Sequence, residues 1–195
     1  MKIFFSAILI LLAILFRTIW HVAPNVEYVT AASLLAGVYL GKKYAILVPL
    51  IIMVLSDTLI GNTNIFVFTW SAYIMIGLFA SQGSTLYKVE PFKKVLGAAG
   101  MGIGASFFFF AWTNFGVWLM DSWGMYPRTL GGLMESYSMG LPFLKLNLLG
   151  NLFFVPVSFG AVEMVKKWGL DKHIQFIYND CICKCKLSTL FCRLR

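Results

Sequence analysis

Residues 95–119 read VLGAAGMGIGASFFFFAWTNFGVWL, twenty-five positions without one ionisable side chain. A helix crossing the roughly 30 Å hydrocarbon core of a bilayer needs about 20 apolar residues. This stretch is long enough, and it decides the class of fold: an all-α, polytopic membrane protein. Five further apolar runs stand on either side of it, at 3–20, 28–40, 44–60, 65–81 and 143–165. The sequence therefore predicts a six-helix transmembrane domain over 1–168 and a basic tail over 169–195. The run at 28–40 is short for a span but rich in small residues (Ala31, Ala32, Ser33, Ala36, Gly37), which suits close packing among neighbours. Within 95–119, Gly100 and Gly104 have the GxxxG spacing that lets two helix backbones approach, so they are expected to pack against another helix.

Composition agrees with that class. Apolar residues make up 59% of the 195 and charged residues only 12%, about half the charged share of a soluble domain. The net charge of +8 does not point to nucleic acid, because the basic residues fall in short clusters between apolar runs. They report orientation instead. With the N-terminus inside and six spans threaded, 13 of the 16 Lys and Arg residues lie inside, and only Arg17, Arg128 and Lys145 stay outside. Trp20, Trp118 and Trp123 then fall at the outer interface and Trp168 at the inner one. Both termini are expected in the cytoplasm of a cell whose plasma (inner) membrane holds the chain. Lys2 followed by the apolar run Ile3–Phe16 has the form of a signal peptide. No small-x-small cleavage site follows it, so it is read as a retained first span.

Polar residues at membrane depth need a reason, and here they gather toward the outer end. Asn25 and Glu27 precede the second span, Asp57 lies one turn before the end of the third, and Asn62 follows in Gly61-Asn62-Thr63-Asn64. Asn114 and Trp118 share a face near the end of the fifth, and Asn147 and Asn151 share a face near the start of the sixth. The long connection 120–142 adds Glu135 and Tyr137 and is expected to form a short interfacial helix or a lid. Amides, carboxylates and rings converging on one side are what a small-molecule pocket requires. Each residue also has a plainer reading. The asparagines can act only as hydrogen-bonding glue between helices, Asp57 can cap the loop it precedes, and Glu27 can sit solvated at the interface.

Signals of catalysis are scarce. The two histidines, His21 and His173, lie on opposite sides of the threaded membrane, and no HExxH, P-loop or GxSxG occurs. No metal or cofactor is expected. The only candidate set for a membrane enzyme is Asp57 with Glu27 or Glu135. Cys181, Cys183, Cys185 and Cys192 all fall in the tail on the reducing side, with a spacing unlike CxxC. Acylation near the membrane or a disordered basic tail accounts for them more simply than a metal.

Several stretches carry a resemblance over roughly residues 17–165. They are Arg17 with Pro24-Asn25-Val26-Glu27, Ala31-Ala32-Ser33-Leu34-Leu35-Ala36-Gly37, and Pro49 to Ser56-Asp57. Later come Asn114-Phe115-Gly116-Val117-Trp118, Tyr126-Pro127-Arg128-Thr129, and Glu135-Ser136-Tyr137 with Leu141-Pro142-Phe143. The chain resembles the bacterial membrane family DUF6580, which is similar to the S components of energy-coupling factor (ECF) vitamin transporters. That resemblance implies a six-helix S-component bundle binding a vitamin-like solute from outside beneath its outer loops. It also implies docking on an ECF-type coupling protein driven by ATPases. The AxxxA spacing used for such docking is missing from the first helix, where Ala7 is followed four residues later by Leu11. The partners expected are thus the bilayer, an unnamed small solute and such a coupling machinery. The other reading kept is a membrane structural or assembly factor.

Overall fold

The computed structural model describes residues 2–20, 23–61, 64–82, 89–121 and 124–167. The four tail cysteines, Asn62, both histidines, Trp123 and Trp168 lie outside these. Among these residues six helices follow in order: α1 Lys2–Thr18, α2 Val29–Leu35, α3 Lys42–Ile60, α4 Phe66–Gln82, α5 Pro91–Leu119 and α6 Leu130–Val165. A single π-helical turn, Ala36–Leu40, prolongs α2. Residues 1–159 form one compact unit. Gly160 onward is a second unit, in which Lys166 pairs with Glu163 at 3.4 Å.

Three helices, α3, α5 and α6, are long and apolar enough to cross a membrane. Val29–Leu40 and Phe66–Gln82 are shorter apolar helices. Their outward surfaces are apolar too: Leu11, Leu59, Phe79, Phe107 and Phe153 are each more than half exposed. Large rings and leucines standing out all round a helical bundle are tolerable in lipid and costly in water. The chain is therefore described as a helical membrane protein.

The short run at 28–40 became the centre of the bundle. Every residue of α2 is buried, and it packs against α1, α3, α4 and α5. With its π turn it is only about 18 Å long at 1.5 Å per residue, so small side chains and central position go together. A Cβ on Gly37 would strike the Gly77 carbonyl oxygen of α4, and one on Gly77 would strike the Ala45 carbonyl oxygen of α3. Backbone thus meets backbone across three helices. Gly37→Ala is expected to cost about 1–3 kcal/mol through overpacking, read as a lower unfolding midpoint in detergent. Gly41 (φ 93°) joins the π turn to α3, a left-handed position that only glycine adopts freely.

Two expectations need correction. The Gly100–Gly104 pair packs against none of the described residues, since a Cβ at either position meets nothing within 4 Å. The inward face of α5 runs instead through Ala98, Gly102, Ala105, Phe109, Thr113 and Gly116. Gly102 takes the Val155 side chain of α6, and Gly116 takes the Phe68 ring of α4. Second, 120–142 is not a separate interfacial helix. α6 begins at Leu130 and runs through Pro142 without a break, 36 residues in all. At roughly 54 Å it exceeds a bilayer core, so the helix extends beyond the predicted span rather than stopping at its edge.

Candidate functional site

The ends of α1 and α3, the start of α4 and the segment before α2 meet at one pole, and one side chain joins them. Arg17, in the last turn of α1, places Nη1 2.7 Å from Asp57 Oδ1 of α3 and Nε 3.3 Å from Glu27 Oε2. Nη1 also donates to Ser56 Oγ at 2.6 Å and lies 3.2 Å from Met53 Sδ. From α4, Trp70 Nε1 donates to Asp57 Oδ2 at 2.7 Å, and the Tyr73 hydroxyl donates to Glu27 Oε2 at 3.3 Å. The Asp57 Oδ1 contact lies off the hydrogen-bond direction, so it is an ion pair without a directed bond. All three charged side chains are 7–13% exposed. One guanidinium therefore serves two carboxylates largely withdrawn from the surroundings, a pattern suited to the planar, multi-donor fork of arginine. Glu27 is paired rather than solvated, and the Asp57 side chain is held by Arg17 and Trp70 while its backbone carbonyl accepts from Gly61 N.

This network fixes one end of the segment 23–28. The other end is held by amides. Asn25 sits in the left-handed region (φ 60°), which asparagine tolerates better than most residues. Its carbonyl accepts from Asn147 Nδ2 of α6 at 3.1 Å. Asn147 Oδ1 accepts from Asn151 Nδ2 at 3.0 Å, which also donates to Ser106 Oγ of α5 at 2.7 Å, and Ser106 donates to the Gly102 carbonyl. Between these tethers Val26 rests on Gly150, where a Cβ would come within 3.2 Å of Val26 Cγ1. Tyr28 closes the segment, with its ring 5.9 Å from Phe16 and 5.7 Å from Phe154. Asn151→Leu removes both donors of a side chain that is 1% exposed. The expected loss is about 1–2 kcal/mol, measured by unfolding in detergent.

Beneath Asn25, between α5 and α6, lies a cavity of about 30 Å³ lined by Asn25, Ser106, Phe109, Phe110, Thr113, Asn114, Phe143, Leu144 and Asn147. That volume holds little more than a water, and a ring-sized ligand needs about 300 Å³ or more. The lining carries amides, hydroxyls and phenyl rings and no charge. Asn114 lies close against Gly140, whose missing Cβ leaves it room, and its Nδ2 donates to the Phe110 carbonyl.

The predicted residues thus divide. Asn25, Asn114 and Asn147 line the cavity and Asn151 is bonded to Asn147 behind it, while Glu27 and Asp57 form the neighbouring ionic network. Trp118 turns away to donate to the Pro127 carbonyl at 3.1 Å, the Tyr137 hydroxyl donates to the Ala111 carbonyl, and Glu135 is exposed. Sequence reasoning did not single out Arg17, Trp70, Tyr73, Ser106 or Thr113 for the site. Arg17 offered a signal: a lone cation at the end of an apolar helix demands buried carboxylates. Among the described residues no group of three His, Cys, Asp or Glu side chains is placed to hold a metal.

A family model described as a family of unknown function, DUF6580, matches residues 1–172. No curated protein and no solved structure matches the chain.

Proposed function

The chain belongs to the DUF6580 family of unknown function, and for this member we propose a solute-binding subunit of a small-molecule uptake system. It crosses the membrane six times with both termini inside. Segment 23–28 serves as a lid on the outer face, over the cavity between α5 and α6. The observation that carries the reading is the lid's attachment. Asn147, which lines the cavity, spends its donor on the Asn25 backbone carbonyl, so a solute offering an acceptor can replace the lid in that bond. Displacing the segment exposes Asn114, Asn147, Thr113 and Ser106 beside three phenylalanine rings. The acidic groups expected in the pocket are already paired with Arg17. That shifts the expected solute from a cationic heterocycle to an uncharged, ring-sized molecule with amide-like donors and acceptors. The sequence holds no nucleotide motif, so the energy for uptake comes from an ion gradient or from a partner such as an ECF-type coupling protein with its ATPases.

A second reading, a structural or assembly factor of the membrane, is favoured by one observation. The amides of Asn147 and Asn151 already satisfy the lid, each other and Ser106, as helix glue would. A thermal-shift panel on the detergent-purified chain separates the two. Uncharged nucleobase- and vitamin-sized heterocycles are expected to raise the melting temperature, and charged analogues of equal size are not. A panel in which no uncharged compound stabilises the protein favours the second reading.

A further inference from the structure

On another face of α5, between it and α4 and over the buried α2, lies a groove of about 320 Å³ open to the surroundings. Leu34 forms its floor, Ile76 and Ala80 line one wall, and Gly104 lines the other. The rings of Phe79 and Phe108 meet edge to face across it, 6.2 Å apart. No polar side chain lines it. The outward glycine that packs against none of the described residues lies here: a Cβ on Gly104 would meet nothing within 4 Å. A hollow of this kind facing hydrocarbon is filled by acyl chain, because leaving it void forfeits dispersion contacts along its whole length.

The charge at this pole selects which lipid. α3 begins at Lys42-Lys43 and α5 carries Lys93 in its first turn, at the end where α4 finishes. Lys42, Lys43 and Lys93 are all exposed. Lys93 approaches Glu90 only at 4.0 Å, with both side chains more than two-thirds exposed. An apolar groove between α4 and α5, with exposed lysines at the end of the bundle where α4 finishes, complements an amphiphile with an anionic head. We infer that the α4–α5 groove is a binding site for an anionic phospholipid of the surrounding leaflet. One acyl chain lies between Phe79 and Gly104, and the headgroup phosphate is met by Lys42, Lys43 and Lys93. The site is separate from the lid and its cavity, and it stands whether or not a solute binds there.

The test is native mass spectrometry of the full chain in detergent with equal phosphatidylglycerol and phosphatidylcholine. Phosphatidylglycerol is expected to be retained preferentially. Gly104→Leu fills the groove without touching the chain's own packing and should abolish that preference while leaving the melting temperature unchanged. Lys42→Gln/Lys43→Gln/Lys93→Gln alters only exposed side chains, and it should weaken phosphatidylglycerol retention by about fivefold per lysine. Equal retention of the two lipids by the wild type would overturn the inference. So would undiminished phosphatidylglycerol preference in the lysine variant or in folded Gly104→Leu.

Discussion

Arg17→Leu is expected to destabilise the folded chain by about 3–5 kcal/mol, the usual cost of leaving a buried charge without its partner. The size follows from the geometry. Asp57 is buried, Glu27 is only 13% exposed at its side chain, and both depend on the same guanidinium, at 2.7 and 3.3 Å. Trp70 and Tyr73 each supply one neutral hydrogen bond, which cannot offset two carboxylates in a low-dielectric setting. The triple variant Arg17→Leu/Glu27→Gln/Asp57→Asn removes the charges together and should recover most of the loss. Arg17→Lys should recover little, because an ammonium cannot span Ser56, Asp57 and Glu27 in one plane. Unfolding in detergent checks all three variants. A single-variant loss within about 0.5 kcal/mol of zero, the range of an ordinary surface change, would mean the network is not buried as described.

The second large effect concerns binding. Asn147 is the only side chain that both lines the cavity and bonds the lid through a described contact. Asn147→Leu is expected to lower solute affinity by about tenfold to a hundredfold, the worth of one or two desolvated hydrogen bonds. The cost to stability should be smaller, about 1 kcal/mol. Asn114→Leu should act in the same direction. If both variants melt well below the wild type and bind as it does, the asparagines are glue and nothing more.

The sequence reading gathered polar residues toward one end of the bundle and resolved their arrangement poorly. The membrane class and the helix positions follow from apolar length alone, which is why five of the predicted runs sit within one or a few residues of a helix. The start of α6 was missed because Pro142 reads as a boundary in water-soluble proteins. In a helix already bonded on both sides of it, the lost N–H is tolerated. The rotation of α5 was misjudged because every face of that segment is apolar, so nothing in the pattern distinguishes Gly102 from Gly104. Only the three-dimensional contact with Val155 does. The shared face of Asn147 and Asn151 was legible from helix phase, and the approach of Asn25 and Asn114 only from their lying toward the same end. Which carboxylates belonged with them was not, because the partner that removes Glu27 and Asp57 from the cavity is an arginine ten and forty residues away.

The central claim is that the cavity beneath segment 23–28 takes up a small uncharged solute. It is tested most directly by native mass spectrometry of wild type and Asn147→Leu, each incubated with the same uncharged heterocycle panel. The account predicts one discrete bound mass on the wild type and its loss from a folded Asn147→Leu. No bound mass on either protein, or equal binding to both, would contradict it.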